Sequence, residues 1–394
     1  MTHLTAESYV FLHLSHTDIR RDSRILKEME ALADVSKGKI IGIGFELSET
    51  EAPVGKLENG RIEILTRILV TRSWRFLPRS LRYLFNFFEL TFKLLRPALS
   101  LKPSVVHCHD TLALPAGWLI KICTGCRLVY DAHELESNKN GQTKFLSTCT
   151  LLIEKIAWSK IDLLVSVSNH ILDWYKVHLG YRQAVLVLNS PVFHNAGADV
   201  QKIFVDNKSY FKNKFGLGDE AVIFVYLGIL GPGRGIELCL NAFESGPKNA
   251  HVVFIGYGAY EARILDFARR CLNIHFHSAV PHDQVVPLVS NADFGLCLVE
   301  NVSLSDYYCL PNKLFEYGFA NLPVLASRFP EISSLVEKYS LGICCDLDEG
   351  SIREALHKIV SNRPIFSKVD LSDLSWSVQA RRLTEAYSNL LASN

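Results

Sequence analysis

Continuous apolar runs rich in β-branched and aromatic residues alternate with longer stretches whose apolar positions recur every three or four residues. Tyr9–Leu14 and Lys39–Phe45 read as buried strands. Between them, Asp22–Ala33 places Ile25, Leu26, Met29 and Leu32 on one face of a helix. Ser104–Cys108, Arg127–Tyr130, Leu163–Val167 and Ala184–Leu188 extend the strand series, with helical segments between most of them. Strand–helix alternation of this kind predicts a doubly wound parallel sheet. The pattern breaks at Asn189-Ser190-Pro191, and a polar stretch runs to near Asp219. A second series follows, with strands predicted at Ala221–Leu227, His251–Ile255, Asn273–His277, Phe294–Val299, Leu322–Ala326 and Leu341–Cys345. The expectation is two α/β domains, residues 1–195 and 196–375. The segment 376–394 stands apart, because its helix Ser377–Leu391 fits neither series.

Composition narrows the class. Apolar residues are 48% and charged residues 21% of the 394-residue chain, which excludes a disordered or collagen-like protein. Net charge is +1 from 42 basic and 41 acidic side chains, so no global field steers the chain toward nucleic acid. The ten cysteines are scattered. Only Cys123 and Cys126 have a Cys-x-x-Cys spacing, and no second pair completes a zinc site. Buried reduced thiols in a cytosolic protein are the expectation. The polar start of the chain is no signal peptide. The longest apolar segment, Tyr83–Leu101, carries Glu89, Lys93 and Arg96, so a spanning helix is not expected. The expected location is cytoplasmic.

The strongest local chemistry opens the second series. Strand Ala221–Leu227 runs into Gly228-Ile-Leu-Gly231-Pro-Gly233-Arg234-Gly235, then into helix Ile236–Phe243. A glycine-rich strand-to-helix turn lets backbone N–H groups approach phosphate oxygens at a helix N-terminus. Arg234 is placed to fork onto a phosphate; the alternative is a tight turn that happens to be glycine-rich. A dinucleotide fold would close the next strand with an acidic residue for the ribose, but His251–Ile255 ends in Gly256-Tyr257-Gly258. A P-loop is excluded, because no Gly-Lys-Ser/Thr follows the glycines.

A second constellation is Tyr307-Tyr308-Cys309-Leu310-Pro311-Asn312-Lys313-Leu314-Phe315-Glu316-Tyr317. Pro311 is suited to open a helix at its first position. Lys313 and Glu316 then share a face. A lysine in a first helical turn opposes the macrodipole unless an anion is bound nearby. The alternative is a solvated ion pair. In the first domain, His109 follows a parallel strand, where ligands bind in open α/β sheets, and His133 and Glu134 follow the next one. His107, inside its strand, is expected in the core.

Taken in order, these segments resemble the retaining glycosyltransferases of the GT-B fold, in the large family 4 (group 1) that uses nucleotide-diphosphate sugars. The likeness spans nearly the whole chain. It rests on Asp22-Ser-Arg24, Val106-His-Cys-His109-Asp110, Val129-Tyr-Asp131-Ala-His133-Glu134, the Gly228–Gly235 loop and Ile255-Gly-Tyr-Gly258. It continues through Pro311-Asn-Lys-Leu-Phe-Glu-Tyr317 with Leu322-Pro-Val-Leu, and Ser375-Trp376. The first of these clusters matches a family branch with the Pro-Asn-Lys-Leu-Phe-Glu-Tyr motif.

The resemblance implies two Rossmann-like domains facing across a cleft, acceptor on the first and donor on the second, with the last helix crossing back to the first. It implies His109, Arg234, Lys313 and Glu316 as catalytic residues. It gives Gly228, Gly231, Gly233, Gly235, Gly256, Tyr257, Gly258, Val280, Tyr308, Pro311, Asn312 and Leu314 as donor-binding, with His277–Pro281 lining the base. Asp18, Arg21, Arg24, Asp131, His133 and Glu134 are the acceptor-side candidates. Basic side chains and helix ends would replace a metal on the departing diphosphate, so no metal or cofactor is expected. Asp346-Leu-Asp348 follows a late strand and reads as a loop rather than as a metal pair.

The chain departs from the family pattern at three positions: Tyr308 stands where a glutamate is usual, Ile229 where an arginine is, and Arg234 where a lysine is. The implied activity is sugar transfer to a hydroxyl with retention, in cell-surface polysaccharide or lipid-linked glycan assembly. The alternatives are a GT-B nucleotide-sugar epimerase using Asp110, Asp131 or Glu134, and a non-catalytic binding partner. Charge is concentrated locally. From Arg67 to Lys102 the only acid is Glu89, against eight basic residues interleaved with aromatics. Such a segment suits an anionic membrane surface on the inner leaflet; the alternative is an ordinary amphipathic helix on the sheet. No nucleic-acid module accompanies it.

Overall fold

The computed structural model describes residues 9–46, 54–56, 60–192 and 209–392. It divides into two units, Met1–Asn189 with Ser377–Asn394, and Ser190–Trp376. The 195/196 junction expected from sequence lies outside the described residues.

The first unit is built on eight strands: β1 (Val10–Leu14), β2 (Lys39–Phe45), β3 (Val54–Lys56), β4 (Ile62–Arg67), β5 (Val105–His109), β6 (Arg127–Ala132), β7 (Leu163–Ser166) and β8 (Ala184–Leu186). Their order is β3-β4-β2-β1-β5-β6-β7-β8. Only β3 with β4 pairs antiparallel. The central strands are buried along their whole length, because helices cover both faces of a parallel sheet and leave no solvent side to alternate with. Helix Ser23–Val35 starts where the Asp22 carboxylate accepts the N–H groups of Arg24 and Ile25, both at 3.1 Å. It buries Ile25, Met29 and Leu32.

Helix Trp376–Ala392 contributes to this unit. The Tyr387 hydroxyl lies 2.7 Å from His107 Nδ1. The Gln379 side-chain carbonyl accepts the Leu188 N–H at 3.2 Å. His107 is thus a core residue, as expected.

The second unit has six parallel strands: β9 (Val222–Ile229), β10 (Ala250–Tyr257), β11 (Ile274–Ser278), β12 (Phe294–Cys297), β13 (Val324–Ser327) and β14 (Gly342–Cys345), in the order β11-β10-β9-β12-β13-β14. This is a Rossmann-like order, and it reverses direction between β9 and β12. The first sheet reverses between β1 and β5. Ligands of open α/β sheets bind outside the carboxyl ends of the strands at such points.

Several boundaries differ from the sequence expectation. β9 and β10 run two residues further than their apolar runs, because Gly256 and Tyr257 stay in register with Gly228 and Ile229. His109 is the last residue of β5 rather than the residue after it. Pro311 caps helix Asn312–Phe319 instead of occupying its first position. The unforeseen strand β4 alternates buried and exposed positions, and its charged face hid it within a basic stretch. Asp348 caps helix Glu349–Asn362 through the Ser351 N–H, and Asp346 faces Arg328 at 3.2 Å, so the Asp-x-Asp pair is structural. All ten cysteines are free; five are buried, and Cys123 is exposed. Among the described residues no helix is long and apolar enough to cross a membrane.

Candidate functional site

At the β9–β12 switch point the chain leaves β9 through the glycine loop. Gly235, at φ 71°, is the residue before helix Ile236–Glu244, and a Cβ there would lie 2.5 Å from the Leu298 carbonyl oxygen. Any other residue would push the helix N-terminus off the end of β12. Its N–H donates to Glu300 Oε1 at 2.9 Å, and the Glu300 N–H returns to the Gly233 carbonyl at 3.2 Å. Sequence reasoning missed Glu300; its one signal was a carboxylate immediately after an apolar strand.

Gly256 has a supporting role. A Cβ on it would stand 1.9 Å from the Gly228 carbonyl oxygen. The Gly256-Tyr257-Gly258 turn is stitched to the glycine loop, with the Leu230 N–H bonded to Tyr257 O at 2.9 Å. Gly228, Gly231 and Gly233 lie in that loop, Tyr257 is exposed beside it, and Arg234 projects into solvent. Arg234 has no carboxylate within ion-pair distance among the described residues.

Helix Asn312–Phe319 presents Lys313 from its first turn. The side chain is only 9% exposed, and among the described residues its Nζ has no hydrogen-bond partner. It sits 3.8 Å from the centre of the Tyr226 ring. A buried ammonium without a counter-ion is costly. The ring face offsets part of that cost, and the helix N-terminus adds to it. An anion at this place would relieve all three terms.

Tyr317 holds this helix in position. Its hydroxyl accepts the Leu227 N–H at 2.9 Å and donates to the Val225 carbonyl at 3.1 Å, both on β9. Its ring fills the space left by Gly295, where a Cβ would lie 2.5 Å from it. Glu316, one turn beyond Lys313, is mostly buried, with Oε1 3.9 Å from His282 Nδ1.

His282 begins helix His282–Val289, capped by Pro281 and packed on the Lys313 helix. Val280, half-buried, lies two residues before His282 in the segment that leads from β11 into this helix. His277 is fixed by Tyr210, whose hydroxyl lies 2.9 Å from Nε2. Tyr308 is half-buried at the end of helix Leu304–Tyr307, and Asn312 is exposed. The Leu314 side chain is wholly buried in the core, and its N–H is bonded to Pro311 O at 3.0 Å.

In the first unit, the β1–β5 switch point holds a buried polar network. Arg24 grips Asp131 with two hydrogen bonds of 3.0 Å, donates to Val187 O at 3.1 Å, and lies 3.1 Å from Glu28 Oε1. Asp131 Oδ2 is 3.3 Å from His109 Nδ1, and His109 Nε2 is 3.0 Å from His13 Nδ1. Burial would raise the Asp131 carboxyl, but Arg24 and then His109 and His133 outweigh it and hold it well below its usual range. Burial pushes His13 and His107 well below theirs. It also raises Glu28 to about 7, against the pull of Arg24.

Arg24 and Asp131 are buried and paired with each other. His109 has no exposed surface, and both its ring nitrogens lie within hydrogen-bond distance of a neighbour.

The ligand-type atoms of His13, His107 and His109, and those of Glu28, His107, His109 and Asp131, each lie within 4.8 Å of one another. The residues fit a resident cation poorly. Asp131 is claimed by a guanidinium, and two of the imidazoles are hydrogen-bonded to each other.

The solvent-accessible part of this end is a second cluster. Asp110, in the left-handed region at φ 67°, lies 3.3 Å from His133 Nε2, 3.4 Å from His16 Nδ1 and 3.8 Å from Lys139 Nζ. Burial opposes the ionised Asp110, yet His133, Lys139 and His16 bring it down to about 2. Burial likewise opposes a charged His133, but Asp110 and Asp131 lift it to about 10. Glu134 is exposed beside this cluster, 3.3 Å from Lys139, and Arg21 is exposed 3.8 Å from Asp18. Asp18 is held by Arg20, with both hydrogen bonds at 2.9 Å.

The model described as Glycosyltransferase Family 4 matches residues 50–192, and that described as Glycosyl transferases group 1 matches residues 207–370. Among solved structures, the chain is similar to sucrose-phosphate synthase from Thermosynechococcus elongatus, at 14% identity over 98% of this chain and 100% of that chain, TM-score 0.77. It is similar to HepE from Anabaena in complex with UDP, at 12% identity over 98% and 100%, TM-score 0.67. A trehalose-6-phosphate protein from E. coli bound with UDP-2-fluoro glucose aligns at 11% identity over 98% and 96%, TM-score 0.65. No curated protein matches the chain. Two Rossmann-like parallel sheets, each ending in polar groups at its switch point, and family models matched along most of the sequence lead to one assignment: the chain belongs to the GT-B glycosyltransferases of family 4, group 1.

Proposed function

We propose that the protein transfers a sugar from a nucleotide-diphosphate sugar to a hydroxyl acceptor with retention of anomeric configuration. The observation that carries this reading is Lys313, a buried and unpaired ammonium in the first turn of a helix at the switch point. It lacks the anion that a donor diphosphate would supply. Arg234, also unpaired, would take a second phosphate oxygen from the loop side, while Glu316 accepts ribose hydroxyls and the Val280 segment lines the base. HepE and the E. coli protein, both similar in fold, are described with UDP and with UDP-2-fluoro glucose.

The bond from the anomeric carbon to the diphosphate breaks with its electron pair going to phosphate. The acceptor oxygen attacks from the face the diphosphate leaves, and the acceptor proton passes to a departing phosphate oxygen. Arg234 and Lys313 stabilise the charge that develops, and no resident metal is needed for it. On the first unit, His133 and Glu134 would meet the acceptor, a hydroxyl on a growing glycan or its lipid carrier, and His109 would act as a positioning residue.

The epimerase alternative rests on Asp110, Asp131 and Glu134; of these, Asp110 and Asp131 are held below the usual carboxylate range by His133 and Arg24, which disfavours them as proton donors. Incubation with nucleotide sugars and hydroxyl acceptors, followed by NMR of the product, tests the reading. An axial donor sugar should give an axial product with release of nucleoside diphosphate. An inverted product refutes retention, and an isomerised donor without acceptor refutes transfer.

A further inference from the structure

Helix Arg79–Leu101 is apolar on two opposite sides. Leu90, Leu94 and Ala98 bury one side against the unit. At about 100° per residue, Leu81, Leu84, Phe85, Phe88 and Phe92 share the other side. That side is bare: Phe88 is 60% and Phe92 59% exposed. The preceding loop extends it, because Trp74 packs on both Phe76 and Phe85, with ring centroids 5.8 and 5.7 Å away, and Phe76 is 77% exposed.

Basic side chains accompany the stripe. Arg75 in the preceding loop, Arg79 in the first turn, and Arg82 and Arg96 on one flank reach solvent, while the only acid between residues 67 and 102, Glu89, is spent internally. It accepts the Val70 and Thr71 N–H groups at 2.9 and 2.8 Å and pairs with Lys93 at 2.7 Å. Among the described residues, the field beside the apolar stripe is thus positive.

The next-but-one helix, Lys144–Trp158, adds a shorter stripe. Both helices pack on helix Leu114–Thr124. Phe145, Leu152 and Ile156 share a face of Lys144–Trp158, all more than half exposed, and its one acid, Glu154, is fully buried.

We propose that the segment 67–102 docks the protein on an anionic lipid surface, with the Phe85–Phe88–Phe92 stripe in the headgroup–acyl boundary and the flanking arginines on lipid phosphates. Bare aromatic side chains argue for an apolar occupant, and exposed arginines with no carboxylate partner among the described residues argue for an anionic one. A lipid surface is both. A second copy of the chain would bring the same positive field and be repelled.

The full chain should co-sediment with phosphatidylcholine vesicles containing phosphatidylglycerol and leave vesicles of phosphatidylcholine alone in solution. Raising salt from roughly 0.1 M should weaken the binding, as screening shortens to a few ångströms. Arg75→Glu, Arg79→Glu, Arg82→Glu and Arg96→Glu together should lower partitioning by about a hundredfold or more. Phe85→Ser with Phe88→Ser should lower it even at low salt. Thermal midpoints and nucleoside-diphosphate binding of the variants, unchanged from wild type, show that the fold and the donor site are intact.

Four results would overturn the proposal. They are no sedimentation of the wild type with anionic vesicles, equal sedimentation with neutral ones, undiminished binding by the folded charge-reversed protein, and a dimer in sedimentation velocity that the serine variant dissolves while vesicles go unbound. The last would assign the face to a second copy.

Discussion

Replacing Lys313 with methionine separates a donor-site cation from an ordinary core residue, because the two roles predict opposite signs. Lys313 is only 9% exposed and has no hydrogen-bond partner, so the unliganded protein carries an uncompensated buried charge. The effective desolvation cost of such an ion is several kcal/mol. The Tyr226 ring at 3.8 Å returns about 2 kcal/mol of it. The wrong-signed charge in the first turn of the helix costs about 0.3–1 kcal/mol more. Lys313→Met keeps the stem's packing and removes the charge, so the unliganded variant should gain about 1–3 kcal/mol.

At roughly 2–4 °C per kcal/mol for a domain of this size, its melting midpoint should rise by about 2–12 °C. The same change deletes one charge-assisted contact to the diphosphate, worth about 1.5–3 kcal/mol, or roughly 10- to 150-fold in Kd. Wild type at a hundredfold excess of ligand over Kd should gain about 2.7 kcal/mol, and the variant at the same concentration only a fraction of that. Differential scanning fluorimetry with and without nucleoside diphosphate reads both effects. A variant that melts lower without ligand, yet is stabilised by ligand as fully as wild type, would refute the assignment.

Other consequences can be checked in parallel. Tyr317→Phe leaves the Leu227 N–H and Val225 carbonyl without their shared hydroxyl and should cost about 1–3 kcal/mol in urea unfolding. Unchanged stability would show that the hydroxyl does not pin the helix. Asp131→Asn leaves the Arg24 guanidinium buried beside a neutral group and should cost about 3–5 kcal/mol, with apolar replacement of both residues recovering much of it. Equal losses in the single and double variants would contradict that.

His133 binds its proton more tightly folded than unfolded, its pKa rising from 6.5 to about 10. Its contribution to stability is fully present below pH 6.5 and fades as pH climbs toward 10. His133→Gln should remove that decline from a plot of stability against pH, and an unchanged profile would assign the decline elsewhere. Gly235→Ala places a Cβ 2.5 Å from Leu298 O at a φ of 71°, and should lower both the melting midpoint and diphosphate affinity. Wild-type values for both would mean that the turn can relax.

The sheets were legible because fully buried parallel strands are written as unbroken apolar runs, and the glycine loop because φ values such as that of Gly235 leave few alternatives. The Lys313–Glu316 face followed from helical spacing alone. What escaped was decided by partners distant in sequence. β4 was hidden because its exposed face is charged, and the antiparallel β3 beside it is only three residues long. Leu314 sits in a motif that the family resemblance gives to the donor, and its position on the helix turns its side chain into the core. Arg24 and Asp131 are 107 positions apart, and nothing local shows that each is the other's counter-ion. His109 illustrates the same limit: its place at a strand end suggested contact with substrate, whereas His13 on the neighbouring strand closes over it. Glu300 and Tyr317 are positioning residues whose roles exist only once β9 and β12 are side by side.

The most direct test of the donor site is a thermal-shift titration of the full chain with uridine, guanosine, adenosine and thymidine diphosphates, each with and without EDTA. The account predicts that one diphosphate raises the melting midpoint strongly, that EDTA leaves the shift unchanged, and that Lys313→Met reduces it to a fraction of the wild-type value. A shift that vanishes with EDTA, or the absence of any shift with all four, would contradict a metal-free diphosphate site built on Arg234 and Lys313.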